Sequence, residues 1–185
     1  RNSAFMDVAD YYFENGRYPY ALKWYNKADP GSLNRSERER FDFRKGYALF
    51  NSNKPGQAEP YFQRVSSSAE YGSQAKYYLG YIAYQQDDYQ EANERFDQIA
   101  DQEVLQEKLS YYQADMNFKL GNFREAITQA EQQLSKANRR EVSELNKIIG
   151  ESYFNLKEYE AAAPYLEQYQ GKAGKWSNTD YYQLG

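Results

Sequence analysis

The residue types that most often carry chemistry are scarce in this chain. Its 185 residues include no histidine and no cysteine, which removes the commonest general base, the commonest metal ligand, disulfides and thiolate sites. Asp87-Asp88 could suggest a metal by residue type, yet no other ligand is spaced to converge on it. Asp7, Asp10 and Glu14 share one face of a predicted helix and read as a solvated stripe. Arg35, Arg38, Arg40, Arg44 and Lys45 form the densest basic cluster; interleaved with Glu37, Glu39 and Asp42, they read as a salt-bridged helix face. No serine stands beside a candidate base and no glycine-rich loop could cradle a phosphate, so no enzyme activity, cofactor or metal is expected.

What remains is tyrosine. The chain carries 21 Tyr, 10 Phe and 2 Trp, and "YYLGYIAYQQDDYQEA", residues 77–92, places five tyrosines in one short stretch. Tyrosine supplies contact area at low entropic cost plus a hydroxyl, which suits a binding surface. Aromatic rings at helical spacing, however, more often pack than bind. Choosing between the two requires the elements that carry them.

Charged residues at 27% and a mean hydropathy of −1.05 lean toward disorder. The 18% aromatic content, with only 5 Pro and 11 Gly, points instead to a folded and mostly helical chain. A net charge of −4 and a pI of about 5.1 give no footprint for nucleic acid or for an anionic membrane. No run approaches the roughly 18 apolar residues that span a bilayer, so no transmembrane segment is predicted.

A repeat orders the aromatics. A small residue recurs at Ala9, Gly46, Gly80, Ala114, Gly150 and Gly185, in steps of 37, 34, 34, 36 and 35. Four residues past the first five stand Phe13, Phe50, Tyr84, Phe118 and Phe154; nine past stand Tyr18, Pro55, Tyr89, Phe123 and Tyr159; twelve past stand Ala21, Ala58, Ala92, Ala126 and Ala162. A small residue in a first helix and an alanine in a second allow two backbones to approach closely. Between them, Asn15-Gly16, Asn51-Ser52-Asn53, Asp87-Asp88 and Gly121-Asn122 are turn chemistry. Each repeat is therefore predicted to be a helix–turn–helix hairpin. Ser36 with Glu39 reads as a capping box opening the second, and Asp29-Pro30-Gly31 and Ser177-Asn178-Thr179 mark handovers between repeats. The last copy stops at "DYYQLG", so the sequence reads as part of a longer array.

Leu79-Gly80, Tyr84, Asp87-Asp88-Tyr89, Ala92 and Phe96, with their counterparts in the other copies, resemble the tetratricopeptide repeat (TPR) family. The pattern departs from the family at Asp42, Lys76, Ser110 and Asn146, where a large aromatic is usual, and at Ala130. The resemblance implies an all-α, right-handed superhelical solenoid of about five repeats plus the start of a sixth. Its repeats would span about 1–35, 36–70, 71–103, 104–138, 139–174 and an incomplete 175–185.

The resemblance further implies a non-catalytic scaffold that binds a protein or peptide partner in a groove lined by the first helices. By family position the groove residues include Arg40, Phe43, Tyr47, Tyr77, Tyr81, Tyr84, Lys108, Tyr111, Asp115, Phe118, Lys147 and Glu151. Within 77–92, Tyr89 is expected in the core, Tyr84 between repeats and Tyr78 at an edge, leaving Tyr77 and Tyr81 as the strongest contact candidates. The pairs at the positions of the family's carboxylate clamp, such as Phe43/Tyr47 and Lys147/Glu151, are not Lys/Asn, which argues against a chaperone-tail clamp. Residues 43–84 also look like the repeats of bacterial cell-envelope members, the TolA-binding and outer-membrane assembly lipoprotein types, which implies a periplasmic setting. The alternatives are a structural spacer or self-association segment, and glycan binding on the tyrosine-rich groove.

Overall fold

The computed structural model describes residues 1–169, apart from the side chains of residues 103–108. Lys108, Ser177-Asn178-Thr179 and Gly185 lie outside what is described. Ten α-helices and one short 3-10 turn, with no strand, make up the described residues. In chain order the helices are α1 Asn2–Glu14, α2 Tyr18–Tyr25, α3 Arg35–Asn51, α4 Pro55–Arg64, α5 Gly72–Gln85, α6 Tyr89–Asp97, α7 Glu103–Lys119, α8 Phe123–Leu134, α9 Arg139–Asn155 and α10 Tyr159–Gln168. The 3-10 turn Pro30–Ser32 links α2 to α3.

The chain forms two compact units, Arg1–Gln86 and the part from Asp87 onward. In the first, α1 packs on α2, α2 on α3, α3 on α4 and α4 on α5. In the second, α6 packs on α7, α7 on α8, α8 on α9 and α9 on α10. Each helix buries its apolar side chiefly against its sequence neighbours, which is how stacked hairpins share a core.

The turn between first and second helix is built the same way each time. Seven residues past the small residue the backbone enters the left-handed region: Gly16 (φ 71°), Asn53 (60°), Asp87 (62°), Gly121 (82°) and Lys157 (63°). In four of these turns the next N–H reaches back to a carbonyl of the last helical turn, as Arg17 to Tyr12 at 2.9 Å and Asn122 to Asn117 at 2.7 Å. This closes the first helix as a Schellman-type cap. Lysine is the poorest fit to that conformation in the series. Lys157→Gly is expected to raise stability by about 0.5–1 kcal/mol, the relief of strain being partly offset by glycine's larger unfolded entropy. A urea midpoint that stays level or falls would show that Lys157 is unstrained.

The cap opening α3 lies two residues earlier than Ser36 and Glu39 suggested. Asn34 is the N-cap, its Oδ1 accepting from Glu37 N at 2.9 Å, while Ser36 sits inside the first turn. Glu39 instead accepts from the Ser68 hydroxyl at 2.9 Å and pairs with Arg35 at 3.5 Å. A complete capping box opens α9, with Glu141 N donating to Asn138 Oδ1 at 3.0 Å and Asn138 N to Glu141 Oε2 at 3.2 Å.

The repeating small residues do what their size requires. Ala21, Ala58, Ala92 and Ala126 are fully buried. Gly46 lies against the ring of Phe62 and the Cβ of Tyr61, and Gly150 lies against Leu166. Two of the atypical polar residues are interior links: Asp42, 4% exposed, accepts from Arg38 Nε at 3.2 Å and pairs with Arg64 at 3.5 Å. Asn146, also buried, donates to Gln168 at 3.3 Å.

Candidate functional site

The first-helix residues of residues 1–86 carry a continuous strip of rings. Phe13 on α1 meets Tyr18 of α2 at 5.6 Å and Tyr47 of α3 at 5.5 Å. Tyr47 meets Tyr78 of α5 edge-on at 5.5 Å, and Tyr78 meets Phe50 at 5.1 Å. Phe50 meets Tyr81 at 5.7 Å, and Tyr81 meets Tyr84 at 6.4 Å. Centroid separations of about 4.5–7 Å with tilted or edge-to-face planes are the favourable geometry for ring pairs. The spacing of Tyr77, Tyr81 and Tyr84 along α5, at roughly 3.6 residues per turn, places them on neighbouring parts of one face.

The rings differ in depth. Tyr47, Tyr77, Tyr81 and Tyr84 are half-buried, which leaves part of each accessible. Phe43, 8% exposed, belongs to the packed interior: it stacks on Tyr71 at 4.9 Å and meets Phe62 at 5.9 Å. Tyr78 is half-buried and packs against the core from its margin. It stacks on Phe62 at 5.1 Å with a 12° interplanar angle, and burial pushes its phenol pKa up. Tyr89 is not core: it opens α6 half-buried, its hydroxyl donating to Asp87 at 2.7 Å. A ring at the first position of a helix stands beside the turn, at the end of the hairpin rather than midway along it.

Asp10, expected on a solvated stripe, anchors one end of the strip. Its carboxylate accepts from the buried Tyr25 hydroxyl at 2.7 Å and pairs with Arg44 at 3.1 Å and Arg40 at 3.4 Å. Arg44 also reaches Glu14 at 3.3 Å and lies over the Phe13 ring at 4.9 Å. Burial, then the hydrogen bond it donates to Asp10, drive the Tyr25 phenol pKa well up, keeping the phenol a neutral donor. Sequence reasoning recognised the salt-bridged character of the arginines. It could not see that α1 supplies their partner, because the contact joins residues 30 or more positions apart.

The remaining candidates fall in the second unit. Tyr111 and Phe118 are half-buried against the core of α7–α9, and burial, ahead of Glu144, pushes the Tyr111 phenol up. Asp115 pairs with Lys119 at 3.0 Å, and the Lys119 ammonium lies over Tyr89 at 4.8 Å. Lys147 lies over Tyr169 at 5.1 Å. Glu151 is 8% exposed and sits in the interior of α9 rather than on open surface.

Among the described residues no cluster of acidic side chains could hold a metal ion. Asp88 caps α6, accepting from Glu91 N at 3.2 Å. No helix of the described residues is long and apolar enough to cross a membrane.

No curated protein matches the sequence. Among solved structures, the fold is similar to MamA, a tetratricopeptide repeat protein. A MamA structure designated AMB-1 superposes with a TM-score of 0.76 at 18% identity, covering 91% of this chain and 89% of that one. A MamA structure designated MSR-1 gives 0.71 at 18%, covering 91% and 94%, and an RS-1 MamA double mutant gives 0.69 at 14%, covering 90% and 91%. At such identities the likeness is one of fold. The tetratricopeptide repeat model itself matches residues 43–107 and 109–175, more than half of the sequence. With the hairpins, their buried small residues and their shared turn geometry, that match makes this chain a member of the tetratricopeptide repeat family, with the all-α solenoid class of fold.

Proposed function

We propose that the chain is a non-catalytic protein–protein interaction scaffold that takes a peptide or protein segment on the first-helix surface of residues 1–86. Family membership suggests a scaffold of this kind. The observation that carries the finer reading is the ring strip through Tyr47, Phe50, Tyr81 and Tyr84, edged by Arg40 and Arg44. A surface of half-accessible tyrosines held rigid by rings beneath them loses little side-chain entropy when a partner binds. A peptide with apolar or aromatic side chains would lie along the rings, and an acidic residue would find Arg40, whose side chain is 38% exposed. In this reading residues 1–185 form one repeat array, and the likeness of residues 43–84 to envelope-type repeats favours a bacterial periplasmic setting.

Panning a displayed random-peptide library on the chain tests the reading. Enriched peptides are expected to lose at least about tenfold in affinity, roughly 1.4 kcal/mol, with Tyr81→Ala/Tyr84→Ala. Thermal unfolding should stay close to that of the parent, because both rings are only half-buried. Failure to enrich any peptide, or binding indifferent to the double substitution, would remove this surface as the site.

A further inference from the structure

Arg40 and Arg44 stand one turn apart on α3, yet they are bonded very differently. Arg44, with a side chain 21% exposed, pairs with Asp10 at 3.1 Å and Glu14 at 3.3 Å and lies over the Phe13 ring at 4.9 Å. Its donors are engaged within the fold. Among the described residues Arg40 makes one ion pair, to Asp10 at 3.4 Å, longer than an ordinary N–H···O hydrogen bond. Its Nε is buried without a hydrogen-bond partner, while 38% of the side chain stays exposed. A guanidinium carries five N–H donors, and leaving one buried and unpaired is costly. Arg40 is thus an under-bonded cation at the edge of an aromatic surface.

Its place fixes what it can meet. Arg40, Arg44 and Tyr47 follow one face of α3, with Phe50 on the flank toward α5. At 1.5 Å per residue, the rise from Arg40 is about 10 Å to Tyr47 and about 15 Å to Phe50. Tyr81 and Tyr84 carry the strip onward from Phe50. The carboxylates nearby belong to the fold. Asp10 is held in place by the Tyr25 hydroxyl at 2.7 Å, Glu14 is exposed beside Arg44, and Glu70 lies by the Tyr71 phenol.

We propose that the segment taken on the ring strip must be an acidic one. An aspartate or glutamate side chain pairs with Arg40, three to five residues from the apolar or aromatic side chain that lies on Tyr47, Phe50, Tyr81 and Tyr84. This rests on the peptide-binding reading above and adds its selectivity and register. An extended segment advances about 3.3 Å per residue, so that interval spans the rise from Arg40 to the rings. The acid is required rather than tolerated, because a segment lacking it would cover Arg40, remove its water and return no acceptor. Arg44 and Asp10 are positioning residues, since they hold Arg40 at the side of the strip. Glu14 acts against the segment, repelling an incoming carboxylate.

Peptides enriched by panning, resynthesised with amidated C-termini so that only side chains can supply the acid, test this by calorimetry. An acidic residue is expected to recur at the stated spacing, and its change to Asn or Gln should weaken binding at least about fivefold. Arg40→Gln should weaken the acidic peptide by the same factor and leave the neutralised peptide within about twofold, the signature of a shared contact. Glu14→Gln should tighten the acidic peptide about twofold. The peptide-side change reads the contact without touching the fold. Peptides that depend on Tyr81 and Tyr84 yet carry no recurrent acid, or bind indifferently to Arg40→Gln, overturn this proposal and leave the peptide surface standing. Failure to enrich any peptide removes both. Sedimentation showing that the parent chain self-associates through Arg40 also overturns it, giving the site to a second copy.

Discussion

Phe62→Ala is expected to lower stability by about 3–5 kcal/mol, the range for truncating a fully buried aromatic. Phe62 has no exposed surface and stands where three helices of the first unit meet. It stacks on Tyr78 of α5 at 5.1 Å, meets Phe43 of α3 edge-on at 5.9 Å, and its ring faces Gly46 closely enough that a Cβ there would lie 3.2 Å away. Removing the ring forfeits its transfer free energy and leaves a cavity that helices pinned by their other contacts cannot close. Both ring pairs are lost as well, each worth about 0.5–1.5 kcal/mol beyond area burial. Peptide capture should weaken in parallel, because Tyr78 supports Tyr47 and Phe50 in the strip. Urea denaturation checks the first effect. A loss below about 1 kcal/mol would mean the three helices repack without this ring.

Gly150→Val is expected to cost more than about 3 kcal/mol, and Gly150→Ala about 1–3 kcal/mol. A Cβ at Gly150 would stand 2.7 Å from Leu166 Cδ2, 2.8 Å from its Cγ and 3.1 Å from its backbone nitrogen. Leu166 is 2% exposed and has nowhere to go, so α10 must move off α9. The sign is what makes the alanine variant informative. Replacing glycine by alanine inside an unobstructed helix ordinarily gains about 1 kcal/mol, so a loss isolates the steric clash. Gly56 in α4, with nothing within 4 Å of its added Cβ, serves as the control and should tolerate alanine. A stabilised Gly150→Ala chain would show that the helix pair has slack the distances do not reveal.

Much of this architecture was legible in the residues. Ala21, Ala58, Ala92, Ala126 and Ala162 announced close helix approach, and they are all but inaccessible. Gly16, Asn53, Asp87 and Gly121 announced the turns, and each takes the left-handed conformation. Such features are local: a side chain too large, or a backbone too constrained, fails at that position whatever surrounds it. The shift from Ser36 to Asn34 as the cap of α3 is the usual limit of local reasoning, since two polar residues near a helix start compete and the chain's approach to the helix decides.

The division of the tyrosines was not legible. A repeat tells which face of a helix a ring occupies, but its burial depends on what the next hairpin brings against that face. Tyr78 packs down on the core because Phe62 of α4 offers it a parallel ring, and Tyr89 stayed beside its turn, its hydroxyl held by Asp87. Asp10 became a buried-edge anchor only because α3 carries Arg40 and Arg44 opposite it. By itself, then, the sequence determined the helix hairpins, their turns and their close-packed small residues, all set by sterics within a repeat. Tertiary structure decided which rings support and which remain reachable, because that depends on side chains contributed by different helices.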